Sequence, residues 1–180
     1  MSIIFHVPHS STLIPDEYRG DFFLSDKDLE TEIRLMTDWH TADLFGSAIS
    51  KLGQAVEFPV SRLLVDPERF SEDAHESMTS VGMGVIYTKT AHGQPLRVDG
   101  TAEGNRRESL LQRYYFPHHQ SLFEATQGEL ERSQKVLIID CHSFPSIPLA
   151  YEPVQDKNRP DICIGTDDFH TPQWLSDTLY

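Results

Sequence analysis

Val136-Leu137-Ile138-Ile139-Asp140 runs directly into Cys141-His142-Ser143-Phe144, and the fold turns on this passage. An unbroken apolar run, as opposed to an alternating one, predicts a strand covered on both faces of a parallel sheet. Its carboxyl end then carries Asp140, Cys141, His142 and Ser143 in a row. The chain opens the same way: Ile3 to Val7 is a short apolar strand that ends at Pro8-His9-Ser10-Ser11.

Between these two strands the pattern turns helical. Ser25 has the character of an N-cap, with Asp26 and Asp28 in the first turn where the helix dipole favours acids. Leu29, Ile33 and Met36 follow at helical spacing. Thr37 caps or continues into a second helix with Asp38 at its start, where Ala42, Phe45, Ile49 and Leu52 recur and Gly53 closes the segment. Ala55 to Val60 and Leu63 to Val65 are predicted as extended. From 67 to 104, five glycines, two prolines and many polar residues predict a long functional or mobile loop, with Val85 to Thr88 its best strand candidate. Asn105 to Tyr115 is expected to be helical, and Pro117 suits the first turn of a helix through Arg132. Asp161 to Gly165 is predicted as a last strand, and Thr171-Pro172 opens a last helix.

Strands alternating with helices give an α/β fold: a mixed, largely parallel central sheet with helices on both faces, in a single domain over 1–180. Ligands of such sheets sit beyond the carboxyl ends of the strands, which is where both polar clusters fall.

Composition narrows the function classes. The 180 residues carry a net charge of −13, a field that repels phosphate backbones and anionic headgroups, so neither a nucleic acid nor a membrane is the expected partner. No apolar run approaches the roughly 20 residues that span a bilayer. The first residues, MSIIFHVPHSS, have no basic leader, and two cysteines suit a reducing compartment better than a disulfide framework; the cytoplasm is the expected location.

Two histidines projecting from neighbouring strand ends need one carboxylate to make a three-ligand metal site with a position left open. His9 and His142 are the histidines, and Asp38 is the candidate carboxylate, with its neighbour His40 as the alternative third ligand. Asp140 is placed to orient a ligand. Such a set suits zinc, manganese or iron. Arg62 and Arg69 are candidates to pair with carboxylates, either those of a ligand or those of Asp66, Glu68 or Asp73 nearby. His118 and His119 open the helix after Tyr115, and His170 is expected to be a polar residue near the last helix.

Several segments resemble the N-formylglutamate amidohydrolase (N-formylglutamate deformylase) family of the zinc carboxypeptidase-like superfamily. They are Pro8-His9-Ser10 with Ile14-Pro15; Thr37-Asp38-Trp39-His40; Ser61 to Asp66 leading to Arg69; Tyr115 to His119; and Asp140 to Phe144. They occur in the family's order across nearly the whole chain. The resemblance implies one zinc ion on His9, Asp38 and His142. It also implies Arg62 and Arg69 on the substrate's carboxylates, and His119 in the pocket as a catalytic group, with His40 a second candidate. The implied activity is hydrolysis of the amide of a small acidic N-formyl or N-acyl amino acid, with histidine degradation as its setting.

The chain departs from the pattern in three places. Thr12 stands where the carboxypeptidase relatives place a glutamate three residues after the first histidine, and Asp66-Pro67-Glu68-Arg69 replaces an Asp-Leu-Asn-Arg run. Family members run further at the C-terminus, where a glutamate supplies the general base, whereas this sequence stops inside a predicted helix. The fold is therefore expected to be C-terminally incomplete. The alternative function is a metal- and ligand-binding relative without turnover, or a fragment of a longer enzyme.

Overall fold

In a computed structural model that describes residues 2–179, the chain forms two compact units, Met1–Phe144 and Pro145–Tyr180. The first holds three parallel strands, β1 (Ser2–Val7), β2 (Gly53–Glu57) and β3 (Val136–Asp140), in the order β2-β1-β3. Its helices are α1 (Asp26–Met36), α2 (Thr41–Leu52), α3 (Gly104–Leu110) and α4 (Phe116–Ser133). The second unit contains α5 (Gln173–Leu179) and otherwise irregular chain. Among the described residues no helix is long and apolar enough to cross a membrane.

Period-two alternation along β1 distributes the layers. Phe5 and Val7 pack with Phe45, Ala48 and Ile49 of α2, together with Ile139 and Cys141. His6, on the opposite face, meets His118 of α4. Helices thus cover both faces of the sheet, and the α/β class read from the sequence holds.

The strand assignments change in detail. β3 is an edge strand of the described sheet and Ile138 is 44% exposed, so the run is not covered on both faces. Apolarity set its strand character but not which neighbours it acquires; β1 is the central strand. Leu63 to Val65 is a fully buried turn, because Leu64 N–H and Val65 N–H both donate to the Ser61 carbonyl. Asp161 to Gly165 forms no strand and is largely exposed.

Ser25 caps α1 as expected, its hydroxyl oxygen accepting from Asp28 N–H at 3.2 Å. Thr37 ends α1, and α2 begins only at Thr41 after His40 adopts a left-handed conformation (φ 64°). Asp38 is therefore a loop residue between the helices, held by its N–H donating to the His9 carbonyl at 3.0 Å.

Gly53 both ends α2 and starts β2, lying opposite Ile3 in the parallel ladder. A Cβ there would overlap the Ile3 carbonyl oxygen, a backbone atom that cannot swing aside. Gly53→Ala is expected to lower stability by about 1–3 kcal/mol, the usual range for overpacking. A urea midpoint unchanged from wild type would contradict this.

The stretch from 67 to 104 has little regular structure but places Met83, Val85, Tyr87, Ala91 and Leu96 in the core. Arg97 lies within it, donating to the carbonyls of Leu63, Leu64 and Tyr87 at 2.8–3.0 Å and thereby fixing the turn before Asp66. Burial pulls the Arg97 pKa down to about 10, still far above neutrality, with Asp21 nearby partly opposing it.

A π-helical turn, Leu111–Tyr115, joins α3 to α4. The extra residue per turn shifts the register of the helix just before His118 and His119, and lets the Tyr115 hydroxyl donate to the Arg69 carbonyl at 2.9 Å.

Candidate metal centre

Beyond the carboxyl ends of β1 and β3, His9 and His142 lie ring beside ring, with centroids 5.3 Å apart. The ladders place them there. Phe58 N–H donates to the Val7 carbonyl and Cys141 N–H to the His6 carbonyl, so pairing persists until the histidines emerge.

Carboxylates flank both edges of the two rings. On the Nδ1 side, Asp38 Oδ2 lies 2.8 Å from His142 Nδ1 and 3.9 Å from His9 Nδ1. On the Nε2 side, the Glu68 oxygens lie 3.3 Å from His142 Nε2 and 3.3 Å from His9 Nε2. Donor atoms of His9, Glu68 and His142 all fall within 4.8 Å of one another.

Asp66 lies beneath them, fully buried. Its Oδ1 accepts from His9 Nε2–H at 2.9 Å and from Glu68 N–H at 3.0 Å. Its Oδ2 accepts from Arg62 at 2.9 Å and from the Tyr87 hydroxyl at 2.6 Å. Burial alone would raise the Asp66 pKa, but Arg62, His9 and Arg69 outweigh it and hold the carboxyl well below its usual range. Burial likewise raises the Tyr87 pKa, keeping that hydroxyl protonated as a donor.

His9 Nε2 is thus engaged by a buried carboxylate, while His9 Nδ1 is buried with no hydrogen-bond partner. A histidine whose one N–H is held by a carboxylate presents a lone pair at its other nitrogen, the usual state of a metal ligand. Tetrahedral zinc with bonds of 2.0–2.1 Å would separate its ligand atoms by about 3.3 Å. The Asp38 oxygen, at 2.8 and 3.9 Å from the two Nδ1 atoms, straddles that value. Among the described residues, the donor atoms that converge around the two rings are those of His9, Glu68 and His142, with Asp38 against the Nδ1 edge of His142, and these groups fit a dication between the rings.

His142 meets carboxylates on both sides. Burial opposes its protonation, but contacts to Asp140, Asp38 and Glu68 prevail and push its pKa up to about 12. Any metal there must displace a proton, so affinity falls with acidity.

The arginines differ. Arg62 directs its guanidinium to Asp66 and Tyr87. Arg69 keeps a buried Nε–H without an acceptor, 3.7 Å from Asp66 Oδ2. His119 donates from Nε2 to the Pro67 carbonyl at 2.9 Å and stacks beside Tyr115, fixing the turn that carries Glu68; burial lowers its pKa. His40 stands on the surface, paired with Asp43, and is not brought to the cluster. His170, in the second unit, bonds Asp167 at 3.0 Å.

Sequence reasoning named Asp66 and Glu68 only as ion-pair partners for the arginines and missed their contacts with His9 and His142, and it missed Tyr87 altogether.

An open parallel α/β sheet with a histidine–carboxylate cluster at its strand ends is the class that fold and site define. Residues 1–179 match the family model FGase, N-formylglutamate amidohydrolase, and the chain belongs to that family. No curated protein matches it. Among solved structures, it is similar to the crystal structure of N-formylglutamate amidohydrolase from Ralstonia eutropha JMP134. The TM-score is 0.65 and the identity 23%, over 81% of this chain and 55% of that one, a likeness that shows the fold. The chain spans about half the length of that relative.

Proposed function

We propose that this chain carries the metal centre of a zinc-dependent amidohydrolase acting on small acidic N-acyl amino acids. N-formyl-L-glutamate is the reference substrate, giving formate and the free amino acid. The observation that carries this reading is the buried, unpartnered Nδ1 of His9 facing Asp38 and, beyond it, His142. When bound, zinc supplies Lewis-acid polarisation of the scissile carbonyl and a more acidic water.

The protein groups do the rest. Asp66 holds His9 in the tautomer that exposes Nδ1, and Arg62 and Tyr87 hold Asp66 ionised in turn. Arg69, with its unused Nε–H, is the group to receive a substrate carboxylate, since a guanidinium pairs with a carboxylate in a planar, bidentate way. His119 acts by positioning the Pro67-Glu68 turn. The two cysteines are free, which accords with a reducing compartment such as the cytoplasm.

The test is formate release from N-formyl-L-glutamate by the purified chain, with and without a zinc chelator. Release that the chelator stops and added zinc restores is the expected result. The same assay separates a second reading, in which metal and acidic ligand bind without turnover. Zinc binding with no formate would favour it. A chain that binds no zinc would sink both.

A further inference from the structure

The cluster at the strand ends carries more negative groups than positive ones. Asp38, Glu68 and Asp140 approach the His142 ring at 2.8, 3.3 and 3.5 Å, and Asp66 holds His9 at 2.9 Å. Among the described residues, the guanidiniums that pair with carboxylates of this group are Arg62 and Arg69. Four carboxylates against two guanidiniums leave a deficit that a dication would only bring level, in a chain of net charge −13.

The two arginines are not equally available to a ligand. Arg62 donates to Asp66 at 2.9 Å and to the Tyr87 hydroxyl at 3.1 Å, lies 3.9 Å from Asp38, and has a side chain only 11% exposed. Recruiting it would strip the buried Asp66 of its counter-charge. Arg69 donates no hydrogen bond to any described residue. Asp66 Oδ2 lies 3.7 Å from its Nε, and its side chain is 23% exposed. Asp66 touches both His9 and Arg69, so this guanidinium stands close to the histidines. An N-acyl amino acid bears its α-carboxylate on the carbon next to the scissile nitrogen, so the α-carboxylate is the one a receptor so placed would meet. A second carboxylate, further out on the side chain, would enter the same field with no further guanidinium to receive it among the described residues. A carboxylate that loses water without gaining a partner is strongly disfavoured.

We infer that this site selects substrates with a single carboxylate: N-formyl or short N-acyl amino acids whose α-carboxylate lies on Arg69 and whose side chain is uncharged. The inference rests on the reading of the cluster as the metal centre of an amidohydrolase and narrows it, since N-formyl-L-glutamate becomes the weaker of two isosteric ligands.

N-formyl-L-glutamine and N-formyl-L-glutamate have nearly the same shape and differ by one charge, which gives the experiment. Binding of each to the zinc-loaded chain is measured by calorimetry, with zinc content and formate release followed in parallel. The glutamine derivative is expected to bind at least about tenfold more tightly. That gap should narrow as salt is raised, because the rejection of the second charge is electrostatic. Arg69→Ala should weaken both ligands by the same factor while zinc content stays at one equivalent, and Arg69→Lys should recover part of the loss for both. Equal binding of the two ligands, or tighter binding of the glutamate derivative, overturns the single-carboxylate site. So does an Arg69→Ala variant that weakens the glutamate derivative alone, for Arg69 would then hold the side-chain carboxylate. A chain that holds zinc but binds neither ligand overturns Arg69 as the receptor and leaves the metal centre standing. A chain that holds no zinc overturns the metal centre, and this inference with it.

Discussion

Replacing Asp66 by asparagine is expected to destabilise the protein by about 3–5 kcal/mol, the cost of breaking a buried ion pair from one side. The corresponding fall in Tm is on the order of 10 °C for a chain of this size. All four close contacts of Asp66 are donors: His9 Nε2–H and Glu68 N–H on Oδ1, Arg62 and the Tyr87 hydroxyl on Oδ2. An amide has one acceptor oxygen. Whichever way the substituted side chain turned, its NH2 would face two donors, and the Arg62 guanidinium would lose its buried counter-charge. Isosteric replacement is therefore no rescue, and Asp66→Ala should fare no better.

The pH dependence has a definite sign. The folded pKa of Asp66 is depressed, so its contribution is fully present above the unfolded value of about 3.9 and is lost as pH falls through the folded value. The gap in stability between wild type and Asp66→Asn should hold from neutrality to about pH 5 and narrow below about pH 4. Equal melting temperatures at pH 7 would show that the Asp66 network does not support the fold.

The parts of this protein that the sequence disclosed are those governed by local periodicity. Ser25 and the acids after it announced α1, and the apolar runs of β1 and β3 located the two strand ends where His9 and His142 emerge. α2 was mis-started because the residues between the helices have ordinary helical propensities, and the left-handed turn at His40 follows from tertiary contacts of the Asp38 loop. Burial of Asp66 was likewise invisible. Its neighbours Glu68 and Arg69 are charged, and of the partners that make burial tolerable only Arg62 and Arg69 are near in sequence, whereas Tyr87 and His9 lie 21 and 57 residues away. Spacing allowed Arg62 and Arg69 a surface ion pair with nearby acids, whereas both meet a fully buried Asp66, and their different states could not be read from spacing. One is committed to Asp66, while the other keeps a buried N–H unused. The π-turn at Leu111–Tyr115 left no local trace either, because a run of helix formers does not record which carbonyl each N–H selects.

His9→Ala is the substitution with the largest expected effect on metal binding: zinc content should fall from one equivalent to background, and any formate release with it. The geometry also says which nitrogen is responsible. Nε2 is held by Asp66 at 2.9 Å, and Nδ1 is buried and unpartnered beside Asp38. Asparagine places its terminal atoms near the Nδ1 position of histidine, and glutamine places its own near Nε2. If ligation runs through Nδ1, His9→Asn should retain weak zinc binding where His9→Gln retains none. The opposite ranking would move the ion to the Nε2 side, with Glu68, not Asp38, as the carboxylate ligand. His40→Ala is the control, since His40 lies on the surface with Asp43 as its partner, and its zinc content should equal that of wild type. Zinc retained by His9→Ala at the wild-type level would mean that the cluster at the strand ends is an ion-pair network, for the loss of one of three ligands leaves too few donors to hold a dication against water.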